Sequence, residues 1–310
     1  MKREKTLRLL FPQWQGGGDP SYMLGARLLA WLAPDADGPV EEVAVAEPDG
    51  KPLEIHDGIL ARDVVVKQFK DARRRIDQHQ PDRIVVLGGD CGVDLAPFAY
   101  LNERYGGDLA VLWIDAHSDL FSDKVFPNSH AHVLGSLMGQ GDEEFLSAVK
   151  TPIKPGNALI AGWRRLPDKF SELQNFEDEL AERLDIQRIG PEKLAGGSEP
   201  VIAWLRETGA KRVAVHFDLD VLDANLFRSL TFSKPGATAP TDDDIPAGRM
   251  TLQQIVGLLA DVATEVDVVG LGITEHTPWD AIALRQALAE LPLIGNPKNR
   301  SEAITATVAS

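Results

Sequence analysis

The densest chemistry in the chain lies in Asp115-Ala116-His117-Ser118-Asp119, which follows directly on an apolar run over 109–114. Alternate side chains of an extended segment share a face, so Asp115, His117 and Asp119 point into one crevice. Carboxylate oxygens with one imidazole form a donor set for manganese or a similar divalent ion. A strand end carrying polar capping residues reads the same way when taken alone. A second segment favours the metal. Residues 212–220 (RVAVHFDLD) form another apolar strand that ends in two same-face carboxylates, Asp218 and Asp220, with Asp223 in the loop beyond. Clustered like charges at a parallel strand end are costly unless a cation neutralises them. Two such strands imply a metal pair, and two-metal hydrolytic sites hold their ions about 3.5–4 Å apart.

Four ordered motifs resemble those of the ureohydrolase family of arginases, agmatinases, formiminoglutamases and guanidinobutyrases, and the resemblance covers most of the chain. Gly88-Gly89-Asp90-Cys91 is similar to the family's Gly-Gly-Asp-His, and Asp115-Ala116-His117-Ser118-Asp119 to its Asp-Ala-His-x-Asp. Phe217-Asp218-Leu219-Asp220-Val221-Leu222-Asp223 resembles its Asp-x-Asp-x-x-Asp-Pro, and Gly272-Ile273-Thr274-Glu275-His276-Thr277-Pro278 its Glu-x-x-Pro. The resemblance implies two divalent ions, manganese by preference, bridged by Asp115 and Asp218, with His117, Asp119 and Asp220 completing the shells. It implies that Asp119 also accepts a hydrogen bond from a bridging hydroxide and that Glu275 binds the guanidinium end of a substrate. His132, thirteen positions after Asp119, stands at the place of the family's proton shuttle. These roles suit the groups, since an imidazole titrates near neutrality and a carboxylate pairs with a planar cation.

The expected activity is hydrolysis of a guanidino or amidino carbon–nitrogen bond, releasing urea or a related amide. Alternatives are a formimino- or hydroxyguanidino-substrate hydrolase, a one-zinc deacylase on a similar fold, and a catalytically silent metal-binding subunit. Assembly as a homo-oligomer, a trimer or hexamer, follows from the resemblance alone.

The chain departs from the family pattern at several places. Cys91 stands where relatives carry a histidine ligand. A thiolate ligand shifts preference toward zinc, iron, cobalt or nickel; a non-ligating thiol or a degenerate site are the other readings. His216 lies two residues before Asp218 on the same strand face, about 6.5 Å further down, which suits support of a metal-bound carboxylate better than contact with the metal. Phe121 and Phe126 fall where arginases place small polar residues around the amino-acid head, with Asn128 and His130 at other such positions. Aromatic rings cannot replace hydrogen bonds to an ammonium or carboxylate, which speaks against L-arginine. Trp14 and the loop 15–18 (QGGG) could reshape the pocket mouth.

The elements that must position these residues read as strands at 7–11, 42–46, 83–87, 109–115, 158–161, 184–188, 212–218 and 266–271. Helical periodicity occupies 22–32, 57–78, 94–104, 171–183, 199–208, 252–264 and 281–291. Val-, Ile- and Leu-rich strands alternating with helices predict a three-layer α/β/α sandwich around a mainly parallel sheet of about eight strands. With 310 residues and 44% hydrophobic content, one domain over 1–310 is the economical division. Residues 233–248 read as a mobile loop, a candidate lid or rim, and the polar tail after Gly295 as frayed or docked on a neighbour. A net charge of −15 disfavours nucleic acid. No apolar run is long enough for a membrane span, and no signal peptide is recognisable. The lone Cys91 excludes an internal disulfide and is compatible with the cytoplasm.

Overall fold

The computed structural model describes residues 5–237, 241 and 243–295. Its strands are β1 (Thr6–Phe11), β2 (Val40–Glu42), β3 (Ile55–His56), β4 (Ile59–Leu60), β5 (Arg83–Gly88), β6 (Ala110–Ile114), β7 (Ala158–Ala161), β8 (Gln187–Ile189), β9 (Arg212–Asp218) and β10 (Asp267–Thr274). The helices among the described residues are α1 (Ser21–Leu32), α2 (Arg62–His79), α3 (Leu95–Arg104), α4 (Val133–Leu137), α5 (Glu143–Leu146), α6 (Ser171–Arg183), α7 (Pro191–Leu194), α8 (Glu199–Thr208), α9 (Leu252–Glu265) and α10 (Trp279–Glu290). Eight strands form one sheet in the order β2-β1-β5-β10-β9-β6-β7-β8, and every neighbouring pair is parallel. The expected α/β/α architecture is therefore present, with a sheet that is wholly rather than mainly parallel.

Strand pleating divides the core into two layers. On β6, Val111 and Trp113 face one layer with residues of α2, α3, α4 and α6, while Ala110, Leu112 and Ile114 face the other with α8 and α9. Period-2 alternation of wholly apolar side chains is what a strand covered on both faces requires. Local signals set the helix ends. A reciprocal Thr251–Gln254 capping box starts α9, and Gly209 in the left-handed region ends α8.

Several expected elements shift, and the strand expected to end at residue 271 runs on to Thr274. The second strand ends at Glu42 instead of starting there, although Val43 still donates to Leu10 O at 2.9 Å. The strand expected at 184–188 begins at Gln187, because α6 runs to Arg183 and Asp185 turns the chain at φ +52°. The helix expected from residue 57 starts at Arg62. Asp57 and Gly58 instead make the turn of the β3–β4 hairpin with positive φ at both residues, as an Asp-Gly pair favours. Residues 245–248, part of the expected loop, are pinned: Gly248 N donates to Asp220 O at 2.9 Å and Arg164 Nη1 to Ala247 O at 2.7 Å. The tail beyond Gly295 lies outside the described residues, as do 238–240 and 242. No described helix is long and apolar enough to cross a membrane.

The four motifs occupy the carboxyl ends of four adjacent central strands, β5, β10, β9 and β6. The turn after β5 requires Gly89, where any Cβ would collide with the backbone carbonyl of Gln13. Gly89→Ala should therefore lower the Tm by about 2–8 °C in a thermal melt, and an unchanged Tm would show that the turn can yield.

Candidate metal centre

Cys91 opens a 3-10 turn (Cys91–Asp94) immediately after β5, capped by Asp90, whose carboxylate accepts from Gly92 N and Gly17 N at 3.0 Å each. Burial pushes the Asp90 carboxyl up to about 6 against the pull of those backbone bonds. Asp115 follows β6 and accepts from Trp113 Nε1 at 3.0 Å and from His117 N at 2.7 Å. Asp218 ends β9; it accepts from Asp220 N at 2.7 Å and from the Cys91 thiol at 2.9 Å. Glu275 follows β10 with its backbone tied to Gly89 O at 2.7 Å. Asp119 and Glu275 both adopt left-handed backbone, with φ of +50° and +61°. For non-glycine residues this costs about 1–3 kcal/mol, which the surrounding structure must sustain.

Three donor groups result, each with its candidate ligand atoms within 4.8 Å of one another: Cys91–Asp115–His216–Asp218, Asp115–His117–Asp220, and Asp218–Asp220–Glu275. Shared Asp115, Asp218 and Asp220 link them into one centre. Asp119 belongs to none of these groups, yet it lines the same cavity, and its Oδ2, like Asp220 Oδ1, is buried with no partner. Orphaned buried carboxylate oxygens beside sulfur and imidazole donors are what two divalent ions would satisfy, so the residues fit the metal pair.

The electrostatics agree. Burial, then Asp220 and Glu275, push Asp218 well above the carboxylate range, and burial with Asp115 and Glu275 does the same to Asp119. Burial and the aspartates also raise Glu275, while burial and Asp218 raise the Cys91 thiol. Burial opposes charge on Asp115 as well, but bonding to His117 holds it below its usual value. Burial disfavours charge on His117, but Asp220, whose Oδ2 lies 3.0 Å from Nδ1, and Asp115 together outweigh it and raise the imidazole.

His132 does not face the centre. Its Nε2 is spent on Phe126 O at 2.7 Å, and the ring is absent from the cavity wall. His130 lines the cavity instead, with Nδ1 on Gly16 O at 3.1 Å and Nε2 3.9 Å from Glu275 Oε1. The two residues share the turn Ser129–His132; at three residues per turn, side chains two apart diverge. Burial depresses His130 to about 4. Asn128 faces the cavity too, but its Nδ2 holds Gly17 O at 2.9 Å. Asp223 turns away and caps Asn225. Sequence reasoning missed Asp94, which bonds His216 Nδ1 at 2.7 Å, and Tyr22, a cavity wall residue; neither lies in a recognisable motif.

The cavity above the donors holds about 350 Å³, and its wall is largely apolar, with Phe121, Phe126, Leu166, Phe170 and Phe232. A parallel sheet with linked metal-donor groups at its central carboxyl ends defines a class of metal-site α/β proteins. The sequence pattern of the arginase family matches residues 21–281, and the chain belongs to that family. It is 30% identical to an arginase of Staphylococcus aureus (strain MSSA476) over 194 residues, 61% of each chain. The chain thus spans under two thirds of the length of that curated relative. In fold it is similar to the native arginase of Bacillus caldovelox, with TM-score 0.72 and 18% identity over 94% of this chain and 99% of that one. It is also similar to Entamoeba histolytica arginase in complex with L-ornithine, with TM-score 0.71 and 18% identity over 90% and 92%.

Without metal, the raised carboxyls of Asp119, Asp218 and Glu275 stabilise the fold in their acid forms. That contribution is complete below their unfolded values near pH 4 and is lost as pH rises through the elevated folded values. Chelation should consequently lower the Tm more at about pH 8 than at about pH 5.5. Equal losses at both would mean that metal does not relieve this repulsion.

Proposed function

We propose that the chain is a metal-dependent hydrolase of a linear guanidino or amidino carbon–nitrogen bond, releasing urea or a related amide. The observation that carries this reading is the linked set of donor groups beneath a cavity that also presents Glu275. Cys91, Asp115, Asp218, His117 and Asp220 would hold two divalent ions, manganese being the family's usual metal and zinc, iron, cobalt or nickel suited to the thiolate. When bound, such ions make water acidic enough to ionise near neutral pH. Glu275 pairs with the planar cation of the substrate and turns its central carbon toward the donors. The free Oδ2 of Asp119 accepts a proton from the attacking water. The Gly16 carbonyl can only accept, so His130 Nδ1 carries hydrogen, and Nε2, unprotonated at neutral pH because burial holds the ring near about 4, takes up the proton passed on from Asp119 and delivers it to the departing nitrogen.

The largely apolar wall supports a substrate without an ammonium–carboxylate head, since Phe121 and Phe126 offer such a head no hydrogen bonds, although Asp19, Arg164, Glu177 and Thr231 also line the cavity. Asn128 and His130, expected to bind substrate, also fasten the Gly16–Gly17 loop at the mouth. A single domain over 1–310, homo-oligomeric assembly as a trimer or hexamer, and a cytoplasmic site of action belong to the same proposal; family membership supports the assembly.

The test is urea and ammonia release by the metal-loaded chain from arginine, agmatine, guanidinobutyrate, guanidinopropionate, formiminoglutamate and hydroxyarginine, with Mn, Zn, Co and Ni. Release from one of the headless guanidino compounds, abolished in Asp218→Asn, is expected, and silence across the panel contradicts the reading. With the active substrate, His130→Ala should lower kcat by about 10²–10⁴ with metal content unchanged. His132→Ala should leave kcat within several-fold and act on the Tm; the reverse pattern would return the proton transfer to His132.

A further inference from the structure

The group Cys91–Asp115–His216–Asp218 contains an imidazole that the family resemblance does not call for. His216 is fully buried inside β9, two residues before Asp218 and on its face. Its ring stacks flat on Trp113, centroids 3.6 Å apart and planes 10° from parallel, which fixes the ring plane. Asp94 Oδ2 engages Nδ1 at 2.7 Å, fixing the rotation and turning Nε2 toward the donors, where Thr274 Oγ1 lies 3.5 Å from it. Nε2 lies 4.0 Å from Asp115 Oδ2, and the Cys91 sulfur lies 2.9 Å from Asp218 Oδ2. Ligand atoms held about 2.0–2.3 Å from a common ion stand about 3–4 Å apart, so this spacing needs little adjustment. Gly272 on β10 completes the arrangement, because any Cβ there would overlap the Asp94 carboxylate.

We infer that His216 is a direct ligand of the first metal ion and replaces, from β9 two strands away across β10, the imidazole lost at Cys91. This inference rests on the metal-dependent reading above. Asp94 is then a positioning residue, in the carboxylate–histidine–metal relay common at such sites. The first site takes one sulfur, one imidazole nitrogen and two carboxylates, whereas the second takes His117 and carboxylates alone. On binding, the Cys91 sulfur–hydrogen bond is replaced by a sulfur–metal bond and the proton passes to solvent. The two sites therefore differ in softness: the first selects a thiophilic divalent ion such as zinc or cobalt, and the second tolerates manganese.

X-ray absorption at the zinc edge tests this on the wild-type chain loaded with two equivalents of zinc. The expected average per zinc is half a sulfur at about 2.3 Å and one imidazole, because His117 and His216 each bind one ion. In His216→Gln the imidazole average falls to one half, and affinity at the first site weakens by more than about 10-fold. Half an imidazole per zinc in the wild type, or no sulfur, overturns the inference while leaving the hydrolase reading intact. Failure of the wild-type chain to take up any zinc or manganese overturns both. The wild-type spectrum decides the matter even if His216→Gln does not fold.

Discussion

Carboxylates buried within a few ångströms of one another repel more strongly than any surface pairing in this protein can offset, because little water screens them. Asp115, Asp218 and Asp220 sit at the ends of two adjacent strands, with Asp119 and Glu275 closing around them. The fold commits to this crowding. The parallel sheet sets the spacing of β6 and β9, Gly89 lets the β5 turn approach, and left-handed backbone at Asp119 and Glu275 aims two more acids inward. Such a centre persists if cations, or protons in their place, neutralise it, and in the metal-free chain the raised acids and the Cys91 thiol show protons in that part.

The surroundings of the centre divide its labour. Below it, fully buried His216 is clamped by Trp113, which fixes its ring plane, and by Asp94, which fixes its rotation. Above it, the cavity is walled by phenylalanines and opens beside a glycine loop held by Asn128 and His130. A rigid floor suits ligands whose separation must not vary, and an apolar wall strengthens each charge interaction made by Glu275. The pinned 245–248 segment, which receives His117 Nε2 at Pro246 O, ties the second donor group to the same rim.

Much of this was legible in the sequence. Buried parallel strands are continuous apolar runs, so 158–161 and 212–218 were readable to the residue, and polar residues immediately after such runs announced the crevice. Boundaries failed where one local signal competed with another. The periodicity of α2 extends back over Asp57-Gly58, and only the turn preference of that pair reveals the hairpin. The sequence motifs marked the residues that gather in the crevice, but not which way each side chain faces. Counting thirteen positions from Asp119 reaches His132, while the turn it occupies directs His130 to the cavity. His216 read as a support for a metal-bound carboxylate, and what the sequence could not show is its partner Asp94, 122 positions away along the chain, which holds the ring at Nδ1.

The central claim, that divalent ions replace protons in this cluster, is tested most directly by calorimetric titration of the metal-free chain with manganese and zinc in buffers of different ionisation enthalpy. The account predicts two ions bound per chain with a net release of protons at neutral pH, as the Cys91 thiol and the raised carboxyls give up their acid forms. Stoichiometry of zero, or binding without proton release, would contradict it.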